Sequence, residues 1–439
     1  MKKDVIVFVN AIRPATFAAL KDYENRTHRT FIPIVLVDQN IRLSISERNG
    51  QNDYGDDLVV LSADFDSAIS IRDTLRVYQD RIFAVTCQYE NSMLELKKLI
   101  AFFPYLPMPT ATSIDWSTEK KLMRELLESY DASLVPAYME ITDASNITID
   151  KIEKKLSYPI VVKPSGLEGS LLVSMVVNRE ELIETLKRTF RDVQTAYDVW
   201  IKRQTPRLLV EEFMDGEMYS VDAYVSADGT CRYTPPVKVL TGRKVGFDDF
   251  FGYMRMTPSG LNEQDISNLY DTAQKACHAV CLRSVTAHVE LMKLAQGWKV
   301  IELGPRIGGY RHDMYALSYG INHIMNDILN RAGEVPDIPI DVRAYTAVFN
   351  IYAHQEGYIT SIDGKEIVEG LASFISLKQG LYLGDTALFA KNNGDPIFDI
   401  ILSNSESALL QSDIKIMQRV LQIHTSPKSR TLTKESVTN

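Results

Sequence analysis

The spacing of apolar positions changes several times along the chain, and each change marks an element. From residue 4 to about 110 short apolar runs alternate with helical periods: Val5 to Val9, a helical run after Pro14, Ile34 to Val37, Leu58 to Leu61, a helix near Ile69 to Tyr78, and Ile82 to Thr86. This predicts a small α/β domain with mainly parallel strands. The loop after the first run, Asn10-Ala11-Ile12-Arg13-Pro14, lacks the GxGxxG pattern, so a dinucleotide site there is not supported. The Pro-rich FFPYLPMPT at 102–110 reads as a linker.

Beyond it, Ser117 is placed to cap a helix running through Glu128, followed by short strands and a helix from about Arg179 to Phe190. Strands dominate from Leu208 to Met256, a helix covers roughly Glu263 to Leu282, and a hairpin and another helix follow through about Arg331. This order is α+β rather than simple βαβ. From about Ala344 strands such as Thr346 to Tyr352 alternate with Gly-rich turns and end in a helix near Ser405 to Leu421, with a polar tail after Pro427 expected to be disordered.

Length and composition narrow the class. A chain of 439 residues needs two or three packed units. Its 45% hydrophobic and 24% charged content is that of a globular protein, and a net charge of -9 gives no general attraction for nucleic acid or anionic lipid. The opening MKKDVIVFVN reads as a first strand, and no apolar stretch approaches bilayer length. Four scattered cysteines suit a reducing cytoplasm. Cys277 and Cys281 lie one helical turn apart beside His278, but two sulfurs without a second pair read as buried helix residues.

The most informative segment is TAHVELMKLAQGWKVIELGPRIGG, residues 286–309. Ala295-Gln296-Gly297 suits a three-residue hairpin loop, and pairing about Gln296 sets Glu290 opposite Glu302, with His288 and Gly304 on the same face. Carboxylates so placed have Cβ atoms about 5 Å apart and repel each other without a cation. A hard metal ion fits there, and magnesium is usually held by one or two carboxylates plus substrate phosphates. Gly304-Pro305-Arg306-Ile307-Gly308-Gly309 then adds a guanidinium and open backbone N–H groups. An isolated VEL or IEL would be only a solvated hairpin.

Two weaker segments support it. In YPIVVKPSGLEGSLLVSMVV, residues 158–177, a strand delivers Lys163 to a turn with Gly166, Gly169 and Ser170 that could cover phosphates. In LLVEEFMDGEMYSVDAYV, residues 208–225, a strand ends at Glu211-Glu212 and passes Met214 before Glu217, a segment whose backbone could read an adenine edge while a carboxylate accepts from ribose. Each alone is commonplace.

Together these segments resemble the ATP-grasp family, the fold shared by D-alanine:D-alanine ligase, biotin carboxylase and bacterial L-amino acid ligases. The resemblance implies a small pre-ATP-grasp, Rossmann-like α/β domain over 1–110, a two-lobed ATP-grasp domain over 111–340 with its smaller lobe at about 130–215, a mixed C-terminal module over 341–426, and a tail from 427 to 439. By the same resemblance Lys120, a better match than Lys121, and Lys163 bind ATP, with Gly166, Gly169 and Ser170 in the phosphate flap. Glu211, Glu212 and Met214 form the adenine hinge, and Glu217 is the ribose carboxylate. Glu290 and Glu302 hold Mg2+, for which Mn2+ can substitute, and Arg306 steadies the transferred phosphoryl group and the oxyanion. Two departures stand out: Gly304 replaces an asparagine that many members use as a further metal ligand, and Leu171-Leu172 replaces an Arg-Gly often seen in the flap.

The implied activity is that of an ATP- and Mg2+-dependent ligase that activates a carboxylate as an acyl phosphate for attack by an amine. Arg311 and His312, with Lys238, Arg243 and Lys244, are candidate substrate residues. Small-molecule acids and amines are the expected partners, with a homodimer left open. The competing readings are a carboxylase-type enzyme using bicarbonate and a non-catalytic ATP-binding sensor or partner module.

Overall fold

In the computed structural model, which describes residues 4–41, 58–165, 171–199 and 207–426, the first strand Val5–Val9 is buried along its whole length. Its alternation divides two cores. Val5, Val7 and Val9 pack with Ile34, Leu36 and Ile82, whereas Ile6 and Phe8 meet Val35, Phe83, Ile324 and Ile328 on the other face. A strand covered on both faces reads as an unbroken apolar run, which is how a parallel sheet announces itself. The four parallel strands lie in the order Val59–Ala63, Ile32–Asp38, Val5–Val9, Ile82–Thr86.

A second sheet of four antiparallel strands, ordered Tyr138–Ile141, Leu208–Glu212, Ile160–Pro164, Ser174–Val176, forms the smaller lobe. Helices Asn146–Lys155 and Arg179–Val199 cover it through Ile149, Ile152, Leu182 and Leu186. The third sheet has nine strands: Gly297–Gly304, Val285–Leu294, Glu217–Val225, Val237–Thr241, Gly252–Thr257, Tyr345–Ile351, Phe398–Asn404 and Phe374–Gln379 in order, with Cys231–Tyr233 beside Glu217–Val225. Helix Glu263–Ala279 packs Leu269, Ala273 and Ala276 onto the face formed by Val221, Ala223, Val289 and Leu291. The intervening positions, among them Ser220, Asp222, His288 and Glu290, therefore point to the opposite face. Because Tyr345–Ile351 pairs with Gly252–Thr257, this sheet continues across residue 340.

Several local expectations are corrected. Ser117 caps nothing: it lies inside helix Ala111–Thr118, donating to Ser113 and Ile114 carbonyls, and Thr110 is that helix's cap. A second helix, Lys120–Tyr130, follows at once. Phe103 and Leu106 are buried in the core of the first domain, so 102–110 is packed chain and not a free spacer. Helix Glu263–Ala279 ends before Cys281, which is exposed. The helical stretch to Arg331 is split into Arg311–Tyr319 and His323–Arg331 at Gly320, whose φ of 75° suits a residue without Cβ. The tail expected after Pro427 lies outside the described residues.

Helix His323–Arg331 joins the third sheet's unit to the first domain and is buried on all sides. Thr86 donates to Asp327 at 2.6 Å, and Asp327 also pairs with Arg331 at 3.0 Å. Arg331→Met should leave Asp327 buried with an uncompensated charge and cost about 3–5 kcal/mol. Urea unfolding checks this; an unchanged midpoint would mean the pair contributes nothing to docking of the two units.

Candidate active site

The hairpin of Val285–Leu294 and Gly297–Gly304 turns through Ala295-Gln296, one residue tighter than expected, with Gly297 at φ 128° paired to Leu294. Up from the turn Lys293 faces Trp298, Met292 faces Lys299 and Leu291 faces Val300. Uninterrupted, this register would set Glu290 against Ile301. A bulge inserts Ile301 as an extra residue, and Glu290 faces Glu302 with His288 facing Gly304.

Arg124 holds that bulge. It is fully buried on helix Lys120–Tyr130, donates from Nη2 to the Ile301 carbonyl at 2.8 Å, and pairs through Nε with Glu211 Oε1 at 2.6 Å. The other Glu211 oxygen meets Lys163 Nζ at 2.5 Å. One turn before Arg124 on the same helix, Lys120 Nζ reaches Glu302 Oε1 at 2.8 Å. Burial opposes ionisation of Glu211, but Arg124 and Lys163 outweigh it and hold the carboxyl at about 2. Burial lowers Lys163 to about 8.

Glu290 is charged for a different reason. Burial disfavours the carboxylate, but His288 Nε2 lies 3.5 Å from it and holds it below the ordinary range, with Arg311 and Arg306 adding to the effect. His288 is in turn tied through Nδ1 to Asp222 Oδ1 at 2.5 Å, and Asp222 raises the imidazole against the pull of burial. Asp222 also contacts His323 Nε2 at 2.6 Å and accepts from Gly308 N at 2.7 Å, which fixes the glycine loop to the sheet. The mutual repulsion expected of the glutamates is thus already relieved by Lys120 on one side and His288 on the other.

These groups line one cavity of about 320 Å³. Lys120, Lys163, Glu211, Glu212, Met214, Glu290, Glu302, Arg306 and Arg311 all reach it. Glu211 does so as the buried bridge between Arg124 and Lys163, beside Met214. Glu217 and Lys238 are not on the cavity wall; they neutralise each other at 2.5 Å. Arg243 pairs with Asp248 at 3.2 Å beside Phe213 and Phe250. His312 is turned away, with a buried Nδ1 that has no partner. Burial lowers it to about 4. Gly166, Gly169 and Ser170 fall outside the described residues.

Two wall residues escaped the sequence reading. Glu90, from the first domain, pairs with Arg306 Nε at 2.6 Å, and a Cβ on Gly304 would stand 3.0 Å from its Oε2. The missing side chain at 304 is what admits it. Arg255, from Gly252–Thr257, is the other. Neither lies in a segment whose local pattern marks it.

Residues 156–313 match the family model described as an ATP-grasp domain. The chain carries an ATP-grasp domain. A D-alanine–D-alanine ligase of Streptococcus pneumoniae is 34% identical over 155 residues, covering 34% of this chain and 40% of that protein. An uncharacterized protein of Sinorhizobium fredii is 24% identical over 299 residues, covering 66% of this chain and 58% of its own length. The match therefore spans about half the length of these relatives. Among solved structures, an L-amino acid ligase from Bacillus licheniformis superposes with a TM-score of 0.76 at 18% identity, covering 97% of this chain and all (100%) of that one. A biotin carboxylase from Campylobacter jejuni gives 0.63 at 12%, covering 95% and 92%. These last likenesses concern the fold.

The donor set fits a magnesium ion. Glu290 and Glu302 offer hard oxygens on one wall, and among the described residues no group of three or more His, Cys, Asp or Glu is arranged to hold a metal unaided. A cation there would need phosphate oxygens to complete its shell, as magnesium in nucleotide sites does. Glu302→Gln keeps the shape and removes the charge. Apo stability should change by no more than about 1 kcal/mol, since its partly exposed pair with Lys120 contributes little. The rise in melting temperature with MgATP should shrink sharply. A normal MgATP shift in this variant would remove the hairpin from the metal site.

Proposed function

We propose that the protein is an ATP-dependent ligase that converts a carboxylate to an acyl phosphate and joins it to an amine, releasing ADP and phosphate. The observation that carries this reading is the pair Glu290 and Glu302, set face to face on the wall that also presents Lys120, Lys163 and Arg306. A carboxylate is a poor electrophile, and phosphorylation gives it a good leaving group. Phosphoryl transfer needs charge neutralisation and positioning more than covalent help from the protein.

Magnesium bound by Glu290 and Glu302 would neutralise phosphate charge. Lys163 and Lys120 supply ammonium groups to the nucleotide's phosphates, while Glu211 and Met214 place the hinge backbone against the base. Arg306, held through Nε by Glu90 and through Nη1 by the Ile307 carbonyl, lies on the wall of the reacting centre. There it stabilises negative charge on the acyl oxygen as the amine nitrogen attacks the acyl carbon and phosphate departs. The proton that the nitrogen loses is taken up by the departing phosphate.

A panel of carboxylic acids incubated with MgATP and hydroxylamine tests this. For the acid that is a substrate, hydroxamate and ADP should form together in equal amounts. Stoichiometric AMP and pyrophosphate would instead indicate an adenylate and overturn the acyl-phosphate chemistry.

A further inference from the structure

Most cations on the cavity wall already have an anion. Lys120 is paired with Glu302, Lys163 with Glu211 and Arg306 with Glu90. Among the described residues, Arg255 and Arg311 form no ion pair with any carboxylate. Arg255 donates from Nη1 to Asn350 Oδ1 at 2.5 Å and lies over the rings of Tyr310 at 5.3 Å and Phe251 at 5.6 Å. Arg311 is 2% exposed, donates to Ser220 Oγ at 2.6 Å and to the Gly309 carbonyl at 3.0 Å, and keeps a buried Nε with no partner.

The strand register puts both on one surface. Glu290 faces Ser220, Ser220 faces Val237, and two residues along the same strand Val239 faces Arg255. Directly paired residues, and residues two apart, share a face, so Glu290, Ser220, Val239 and Arg255 run in a line across the sheet. Arg311 sits over Ser220, between the ends of that line. The strands carrying Glu290 and Arg255 are three steps apart, roughly 14 Å. Burial, and after it the nearby charge of Arg311, lowers Arg255. Two guanidinium groups near each other, neither of them in an ion pair with a carboxylate, suit an anionic ligand.

We propose that Arg255 and Arg311 together receive a carboxylate that stays intact through the reaction, that of an amino acid serving as the amine substrate. The assignment rests on the ligase reading above and makes Arg255 a specificity-determining residue. Its place across the sheet sets this carboxylate apart from the one activated beside Glu290 and Glu302. The rings of Tyr310 and Phe251 hold the guanidinium flat, so the fork is preorganised for bidentate contact. Tyr310 is itself fixed by Asn350, which donates to its hydroxyl at 2.8 Å and to Asp399 at 2.5 Å.

The test compares an amino acid with its own carboxamide, which keeps the amine and loses the charge. The standard L-amino acids are screened singly with MgATP and the acid that yields hydroxamate, and kcat/KM is measured for the best acceptor and for its carboxamide. The wild type should prefer the amino acid by roughly 10- to 100-fold. Arg255→Met should bring the ratio close to one, and Arg255→Lys should keep part of it. A ratio unchanged in Arg255→Met, or a carboxamide as good as the amino acid in the wild type, would overturn the proposal. Should Arg255→Met instead abolish a preference for a dicarboxylic acid over its monoester in the hydroxamate assay, the carboxylate belongs to the acid and the assignment to the amine falls. Failure of the wild type to form any hydroxamate strikes the ligase reading itself. In that case calorimetric titration of the MgADP-loaded protein with the same two compounds decides this proposal, and equal affinities overturn it.

Discussion

The arrangement of the site depends on one buried guanidinium. Arg124 reaches the carbonyl that the Ile301 bulge leaves free of the ladder and, from the same fork, the carboxylate of Glu211. The first contact keeps Glu290 opposite Glu302. The second sets the end of Leu208–Glu212, and through it Lys163, from the smaller lobe. The glutamate pair and the strand end at Glu211 belong to different sheets, and Arg124 gives them a common reference. Its burial is tolerable because an anion and a carbonyl meet it; without either, desolvation would outweigh the contacts.

The first domain contributes to the site as well as to the core. Arg13 donates to the carbonyls of Gly308 and Ile307 at 2.9 and 3.2 Å, and Glu90 clamps Arg306. The loop that lacks the dinucleotide pattern thus secures the glycine segment of the neighbouring unit. From the sheet side Asp222 binds the same segment through Gly308 N while orienting His288 and His323. The Gly308-Gly309 turn is held from both sides, and the arginines flanking it inherit fixed positions.

The first domain was legible in the sequence because its strands are apolar on both faces. The hairpin was legible for a subtler reason: the loop is one residue shorter than its glycine suggested, and the bulge restores the lost residue, so the two deviations cancel at Glu290 and Glu302. Ser117 misled because a serine before a helical period has the same appearance whether it caps that helix or ends the one before it. Glu217 and Lys238 pair with each other across neighbouring strands, a contact that only the strand order reveals. Glu90 and Arg255 could not be read at all, since only the tertiary arrangement brings them to the cavity, Glu90 into the space above Gly304.

If the bulged hairpin is the metal site of a nucleotide-dependent centre, a divalent cation must sit between its two glutamates when nucleotide is bound. The most direct measurement is anomalous diffraction from crystals grown with Mn2+ and ADP, since manganese scatters anomalously and accepts the same oxygen ligands as magnesium. An anomalous peak should appear between the carboxylates of Glu290 and Glu302, in contact with the nucleotide's phosphates. A nucleotide bound with no peak there, or with its metal held by other side chains, would contradict it.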